Sequence, residues 1–299
     1  MIDPDLVSIL IVNYRGAKYL QDCLTALAEQ SLPRHRFEVI VWDNASDDAS
    51  REIIETHFSW VKLVHSPLNL GFADGNNRAS SFARGTRLIL LNNDTIPDPF
   101  FLEELVRVWD RTPTARVVAK LVFAAEPRVL HSTGLVKLRD GRGADRGFRE
   151  VDTGKYERTE EVFAGCGAAL GLHRPDLGMT MFEPHYFAYY EDFASGWEHR
   201  KAGGSCVYAP RALVRHVHGG AAGEHSELFH FHVERNRALT ALRLGSPILA
   251  GYCTAVLFAK TFRTLLNPRR FRRARTLAAA CFSYLGWMPR TLLRRWHLA

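Results

Sequence analysis

RLILLNNDTIPD, residues 87–98, is the stretch on which the fold of this chain turns. Residues 87–91 are apolar after Arg87 and show no helical period, which predicts a strand buried on both faces. The run then breaks into Asn92, Asn93, Asp94 and Thr95, polar groups at the carboxyl end of that strand. Open α/β sheets bind ligands in the crevice beyond such strand ends. A carboxylate with two amides and a hydroxyl is hard oxygen chemistry, suited to Mg²⁺ or Mn²⁺ carrying a diphosphate. The same four residues also make an ordinary strand-to-turn junction, because Asn and Asp favour turns.

Working outward, LVSILIVNY (6–14) reads as a buried first strand ended by Arg15-Gly16, and 18–30 as a helix stopped by Pro33. Residues 37–42 form a second strand, about 50–58 a helix, and 61–64 a third strand. Residues 69–77 open another helix before the strand at 87. Strands alternating with helices predict an α/β fold, with a mostly parallel central sheet flanked by helices. Beyond it, 99–109 reads as an amphipathic helix and 115–123 as a strand. The Gly-, Arg- and Asp-rich 124–161 reads as an extended hairpin or mobile cover. Structure resumes at 162–172, a helix ends near Lys201, and 206–209 and 212–218 read as two short strands.

Several residues carry candidate chemistry. Asp43, at the end of the second strand, either hydrogen-bonds a base or ribose edge or caps a turn. Asn69, Gly71, Asn76 and Asn77 lie in a loop that resembles a phosphate-facing entry to a helix, although neither GxGxxG nor GxxxxGK[ST] is present. Glu191 and Asp192 follow an aromatic run (Tyr186, Phe187, Tyr189, Tyr190). Aromatic walls raise a carboxylate's pKa and suit a general base, while acids also complement a helix N-terminus. His216 and His218, before two glycines, offer imidazoles on one strand face, as metal ligands or as satisfied surface groups. Nothing marks a Ser-His-Asp or Cys-His nucleophile.

In order, LVSILIVNYRG, VIVWDNASDDAS, NLGFADGNN, LILLNNDT, GCGAALGLHR, FAYYED and RHVHGG form a series. It resembles the inverting family 2 glycosyltransferases of the GT-A fold, particularly the rhamnosyltransferase-like branch that builds bacterial polysaccharides. The resemblance implies transfer of a sugar, L-rhamnose foremost, from a dTDP- or UDP-linked donor to a glycan or polyprenyl-linked acceptor. It implies that Val12, Tyr14 and Asp43 hold base and ribose, and that residues 69–77, with Asn93 from the LNNDT motif, lie against the nucleotide. Asp94 would ligate Mg²⁺ or Mn²⁺, with His216 or His218 completing the shell, and Asp192, paired with Glu191, would deprotonate the acceptor. The sequence departs from the family at Asn92 and Asn93, where further acids can stand. It departs again at Ala194, where another Asp is frequent, and at Ala221 and Ala222, where a Ser is common.

The expected division is a catalytic domain, 1–237, with a nucleotide-sugar half (1–122) and an acceptor half (123–237), followed by a basic helical region, 238–299. From Arg235 onward there is no Asp or Glu, while Lys and Arg total 13; the first 234 residues carry 26 basic against 32 acidic side chains. Such a tail seeks an anionic surface. Its two apolar runs, 246–259 and 276–289, fall short of the roughly 20 residues needed to span a bilayer. Interleaved with arginines, they read either as helices lying on a membrane or as a helical subdomain packed on the core. The net acidic first part and the lack of any finger, RRM or helix-turn-helix pattern argue against nucleic acid. No leader pattern opens the chain and five scattered cysteines suggest reduced thiols, so the expectation is a cytoplasmic protein at the inner membrane face.

Overall fold

A computed structural model describes residues 2–174, 180–218, 226–267 and 271–296. The first half alternates as the hydrophobic pattern requires: β1 (Asp3–Asn13), α1 (Ala17–Ala28), β2 (Phe37–Asn44), α2 (Ser50–His57), β3 (Lys62–Ser66), α3 (Gly71–Ser80) and β4 (Gly85–Leu91). These four strands pair in parallel, in the order β4-β1-β2-β3. Alternate residues of a strand face opposite sides. Leu10, Ile40, Leu88 and Leu90 therefore pack on one face, and Ile9, Ile11, Val39, Val41 and Ile89 on the other. Both faces are covered, which is why β2 is buried throughout and reads as a continuous apolar run.

The second half adds β5 (Thr95–Pro97), α4 (Phe101–Arg111), β6 (Arg116–Phe123), β7 (Leu130–Ser132), β8 (Leu135–Lys137), β9 (Gly143–Asp145), β10 (Glu160–Val162), β11 (Ala169–His173), α5 (Glu191–Lys201) and β12 (Cys206–His216). The ten-stranded sheet runs β10-β12-β6-β11-β4-β1-β2-β3, with β5 on β12 and β7 on β6. The longest pairings are parallel, as expected, and β11 lies antiparallel between β4 and β6. At the other side of β6, β12 runs parallel to it and antiparallel to β5, and the pairing of His216 with Thr95 sets the histidine beside Asp94.

Two expectations are corrected. The two short strands over 206–218 are one strand, β12, whose register shifts between Ala209 and Leu213, around a proline that cannot donate to the ladder. The segment 162–172 is not one element, since Val162 ends β10 and a turn precedes β11, which starts at Ala169. Within 124–161, β8 and β9 form a hairpin as expected, β7 joins the sheet, and Leu130, His131, Ser132 and Thr133 are buried.

The tail folds as α6 (Glu227–Leu244), α7 (Pro247–Leu265) and α8 (Phe271–Trp296), with Ser226 and Ser246 accepting the Phe229 and Leu249 amides as N-caps. The expected boundary at 237/238 falls inside α6, which packs on residues 183–186: Arg243 pairs with Glu183 at 2.6 Å, and the Tyr186 and Thr240 hydroxyls stand 2.9 Å apart. The arginines are thus only partly a free electrostatic surface, since Arg235, Arg243, Arg294 and Arg295 all bond within the protein. Among the described residues no helix is long and apolar enough to cross a membrane.

Candidate active site

Polar groups gather where β1, β2 and β4 end. The buried Asn13 amide donates to Asp43 Oδ1 (3.2 Å) and to Ser46 Oγ (3.1 Å), and the Asn93 amide donates to Asn13 Oδ1 (2.7 Å). Gly16 fits because a Cβ there would stand 2.1 Å from Asn93 Nδ2. Asp43 has no exposed side-chain surface and is fastened further by the Ser46 amide and His65. Tyr14 is half-buried, with the Arg15 guanidinium 5.2 Å from its ring centre, and Val12 is half-buried against Gly75 of α3.

The 69–77 loop is only partly the ligand-facing element expected. Asn69 Oδ1 accepts the Gly71 amide, and Gly71 sits at φ +75° where a Cβ would meet the Phe187 carbonyl at 2.4 Å. Both polar atoms of the Asn77 amide are taken by the Phe182 backbone, so this residue ties α3 to the following loop instead of facing a nucleotide. Asn76 donates to Phe72 O, while its buried Oδ1 has no partner.

The next group is a carboxylate among imidazoles. Asp94 Oδ1 stands 3.1 Å from His216 Nε2, and His216 Nδ1 stands 3.2 Å from His131 Nδ1. The ligand atoms of His131, His216 and His218 all lie within 4.8 Å of one another. Burial, then the neighbouring imidazoles, push His131 down to about 2, so it is a neutral lone-pair donor. One carboxylate with convergent imidazoles fits a divalent cation. Gly219, Gly220, Ala221 and Ala222, which follow His218, lie outside the described residues.

Glu191 and Asp192 form the first turn of α5. Asp192 is gripped through both oxygens, by the Gly167 amide (2.9 Å) and the Phe193 amide (2.6 Å). Next to Gly167, the Ala168 carbonyl accepts the Asn92 amide (3.0 Å), so adjacent residues of one segment join the Asn92–Asp94 turn to Asp192. Burial raises both carboxyl pKa values, and the Asp192 charge raises Glu191 further.

The turn before this pair is strained. Phe187, Tyr189 and Tyr190 hold φ of 64°, 68° and 71°, unfavourable for side-chain-bearing residues and concentrated at functional sites. The buried Asn236 of α6 holds it there, its amide lying 3.0, 3.1 and 2.7 Å from the carbonyls of Tyr186, Ala188 and Tyr189. Arg235 grips the His185 and Tyr186 carbonyls beside it.

Asn13, His131 and Asp145 are site residues that sequence reasoning missed. Asn13 lies inside the first quoted motif, and its place one residue beyond Val12 on a strand was the available cue. Asp145, on β9, is pushed up to about 6, mainly by burial, with Asp192 raising it and Ser132 and His216 opposing. Among the described residues its buried Oδ1 has no hydrogen-bond partner. An Asp in the unfolded chain titrates near 3.9, so the fold loses stability as pH climbs from about 4 to 6, and the loss is constant above that. Asp145→Asn removes this penalty. In EDTA the variant is expected to melt above wild type at about pH 7.5 and to show no such gain near pH 4. Parallel melting curves across that range would refute the burial assignment.

The model of glycosyl transferase family 2 matches residues 8–169. Glycosyltransferase AglE of Haloferax volcanii is 30% identical over 100 residues, 32% of this chain and 33% of that protein. Validoxylamine A glucosyltransferase of Streptomyces hygroscopicus is 24% identical over 129 residues, 42% and 31% respectively. The match thus spans about a third of the length of these relatives. Among solved structures, GalNAc-T7 with UDP, GalNAc and Mn²⁺ superposes with a TM-score of 0.65 at 14% identity, over 96% of this chain and 57% of that one. The mannosyltransferase PcManGT of Pyrobaculum calidifontis, in complex with GDP-Man and Mn²⁺, gives 0.57 at 18% identity, over 99% and 88%. The fold they share with this chain is GT-A.

Proposed function

Because this chain belongs to glycosyl transferase family 2, whose model covers more than half of it, we propose that it moves a sugar from a nucleoside-diphosphate donor to a glycan or polyprenyl-linked acceptor, with inversion, in polysaccharide synthesis. L-Rhamnose carried on dTDP is the first donor to test, on the strength of the motif series. The observation that carries the proposal is the 167–168 segment, which bonds the Asp94 turn on one side and Asp192 on the other.

Asn13, Asp43 and Asn93 form the floor against which base and ribose rest, and Asp94 with His216 and His218 would hold Mg²⁺ or Mn²⁺. When bound, that cation supplies positive charge to a departing diphosphate. Asp192 takes the proton from the acceptor hydroxyl as its oxygen attacks the anomeric carbon. Its two backbone donors fix the carboxylate's direction, and burial gives it a base strength above that of an ordinary carboxylate. Nucleoside diphosphate release from a donor panel that includes dTDP-rhamnose, UDP-galactofuranose, UDP-glucose and UDP-GlcNAc, with and without EDTA, tests the reading. Release from none of them, or release indifferent to EDTA, would count against it.

The same reading extends to a lipid surface. Thr261 Oγ1 and Cys281 Sγ meet at 3.1 Å in the α7–α8 seam, and the next residue on each helix, Phe262 and Phe282, is 63% and 75% exposed. Exposed aromatic side chains on helices of a tail rich in arginine suit peripheral attachment to anionic lipid. A buried phenylalanine contributes about 1.5–3 kcal/mol. The double variant Phe262→Glu, Phe282→Glu is therefore expected to float at least about tenfold less with anionic vesicles at unchanged Tm. Equal flotation would remove lipid from the scheme.

A further inference from the structure

His131 reaches the site from β7, 85 residues from its partner. The His216 ring has polar neighbours at both nitrogens: His131 Nδ1 is 3.2 Å from its Nδ1, while Asp94 Oδ1 (3.1 Å) and the Asn92 amide (3.4 Å) stand at its Nε2. A neutral imidazole has one proton for two nitrogens. With the proton on Nε2, it is donated to Asp94, and no lone pair remains there for a cation. With the proton on Nδ1, it is donated to His131, and the Nε2 lone pair is open to the Asn92 amide or to a cation beside Asp94. An accepting group at Nδ1 therefore favours the second state.

We infer that His131 is a positioning residue that accepts the Nδ1–H of His216 and so aims the Nε2 lone pair at the space beside Asp94. The inference rests on the metal reading above. His131 is 2% exposed and is packed between Phe123 and His218, with ring centres 5.3 and 4.4 Å away. It cannot swing aside, and the task needs only one accepting nitrogen. Ligating imidazoles commonly hand their second N–H to such an acceptor, and losing it costs about 10–100-fold in metal affinity. A centre rich in nitrogen donors also favours Mn²⁺ over Mg²⁺.

The test is Mn²⁺ titration of the metal-free full chain, followed by calorimetry and by the EPR signal of free Mn²⁺, alongside melting curves in EDTA. His131→Leu is expected to bind Mn²⁺ about 10–100-fold more weakly than wild type. His131→Asn, whose amide oxygen can accept the same N–H, is expected to recover most of that affinity. Full affinity in the leucine variant, or an equal loss in both variants, overturns the inference. Wild type that binds no Mn²⁺ overturns the metal reading itself, which separates the two failures. Should the leucine variant not fold, long-range ¹H–¹⁵N spectra of the Zn²⁺-loaded wild type decide. A proton on His216 Nδ1 supports the role, and one on Nε2 ends it.

Discussion

Asp192→Asn lowers turnover by about 10²–10⁴ while leaving the affinity for the nucleotide sugar close to wild type, the range general-base catalysis commonly supplies. The amide keeps one oxygen for the Gly167 amide and fills the same volume, while its NH₂ group cannot accept from the Phe193 amide, so one of the two backbone bonds goes with the proton acceptor; Tm checks that the fold is retained. Glu191→Gln provides the contrast. Burial and the Asp192 charge raise the Glu191 pKa, so replacing its acid by a neutral amide of the same shape is expected to be the milder change. The pH profile separates these roles further. The buried Asp192 has a raised pKa, so wild-type activity is lost as pH falls through that raised value, and the limb is absent from the residual activity of Asp192→Asn. Single-turnover kinetics with a donor that proves active, together with donor binding by calorimetry, checks each part. Wild-type turnover in Asp192→Asn would remove the base assignment.

Asp94→Asn is expected to weaken donor binding and to lower turnover together, by about 10²–10³, because several kcal/mol of charge stabilisation at about 1.36 kcal/mol per tenfold depend on that carboxylate. It also leaves His216 without its anionic neighbour at 3.1 Å. Nucleoside diphosphate binding distinguishes this from loss of fold. In wild type EDTA should weaken it, whereas in Asp94→Asn it is already weak and EDTA has no further effect. The same Tm for the two proteins in EDTA completes the comparison. A variant whose diphosphate binding matched wild type with and without EDTA would show that this carboxylate does not serve the donor.

How much of this was legible in the linear chain follows from how local each signal is. Residues 87–91 announced a buried strand because both faces of β4 are covered, and the Asn-Asp break after it marked the sheet edge where Asp94 stands. The FAYYED run likewise led to the first turn of α5. His131 and Asp145 carried no such signal. They sit on three-residue strands too short for any period, and their neighbours are distant in sequence. Asn77 illustrates the opposite error. A loop rich in Asn and Gly before a helix resembles a phosphate cradle, yet the same amide serves equally to tie backbone to backbone. The tail was divided from the core by charge, at the point where acids stop. Its first helix is set instead by the Ser226 cap, and arginines that count as free charge in a sum are in part buried partners.

The three left-handed residues ahead of Asp192, each uphill by about 1–3 kcal/mol, are braced from α6, where the Asn236 side chain holds the carbonyls of Tyr186, Ala188 and Tyr189. Under the proposed reading, the first helix of the tail is thereby part of the acceptor side of the site, and the tail cannot be exchanged as an independent module.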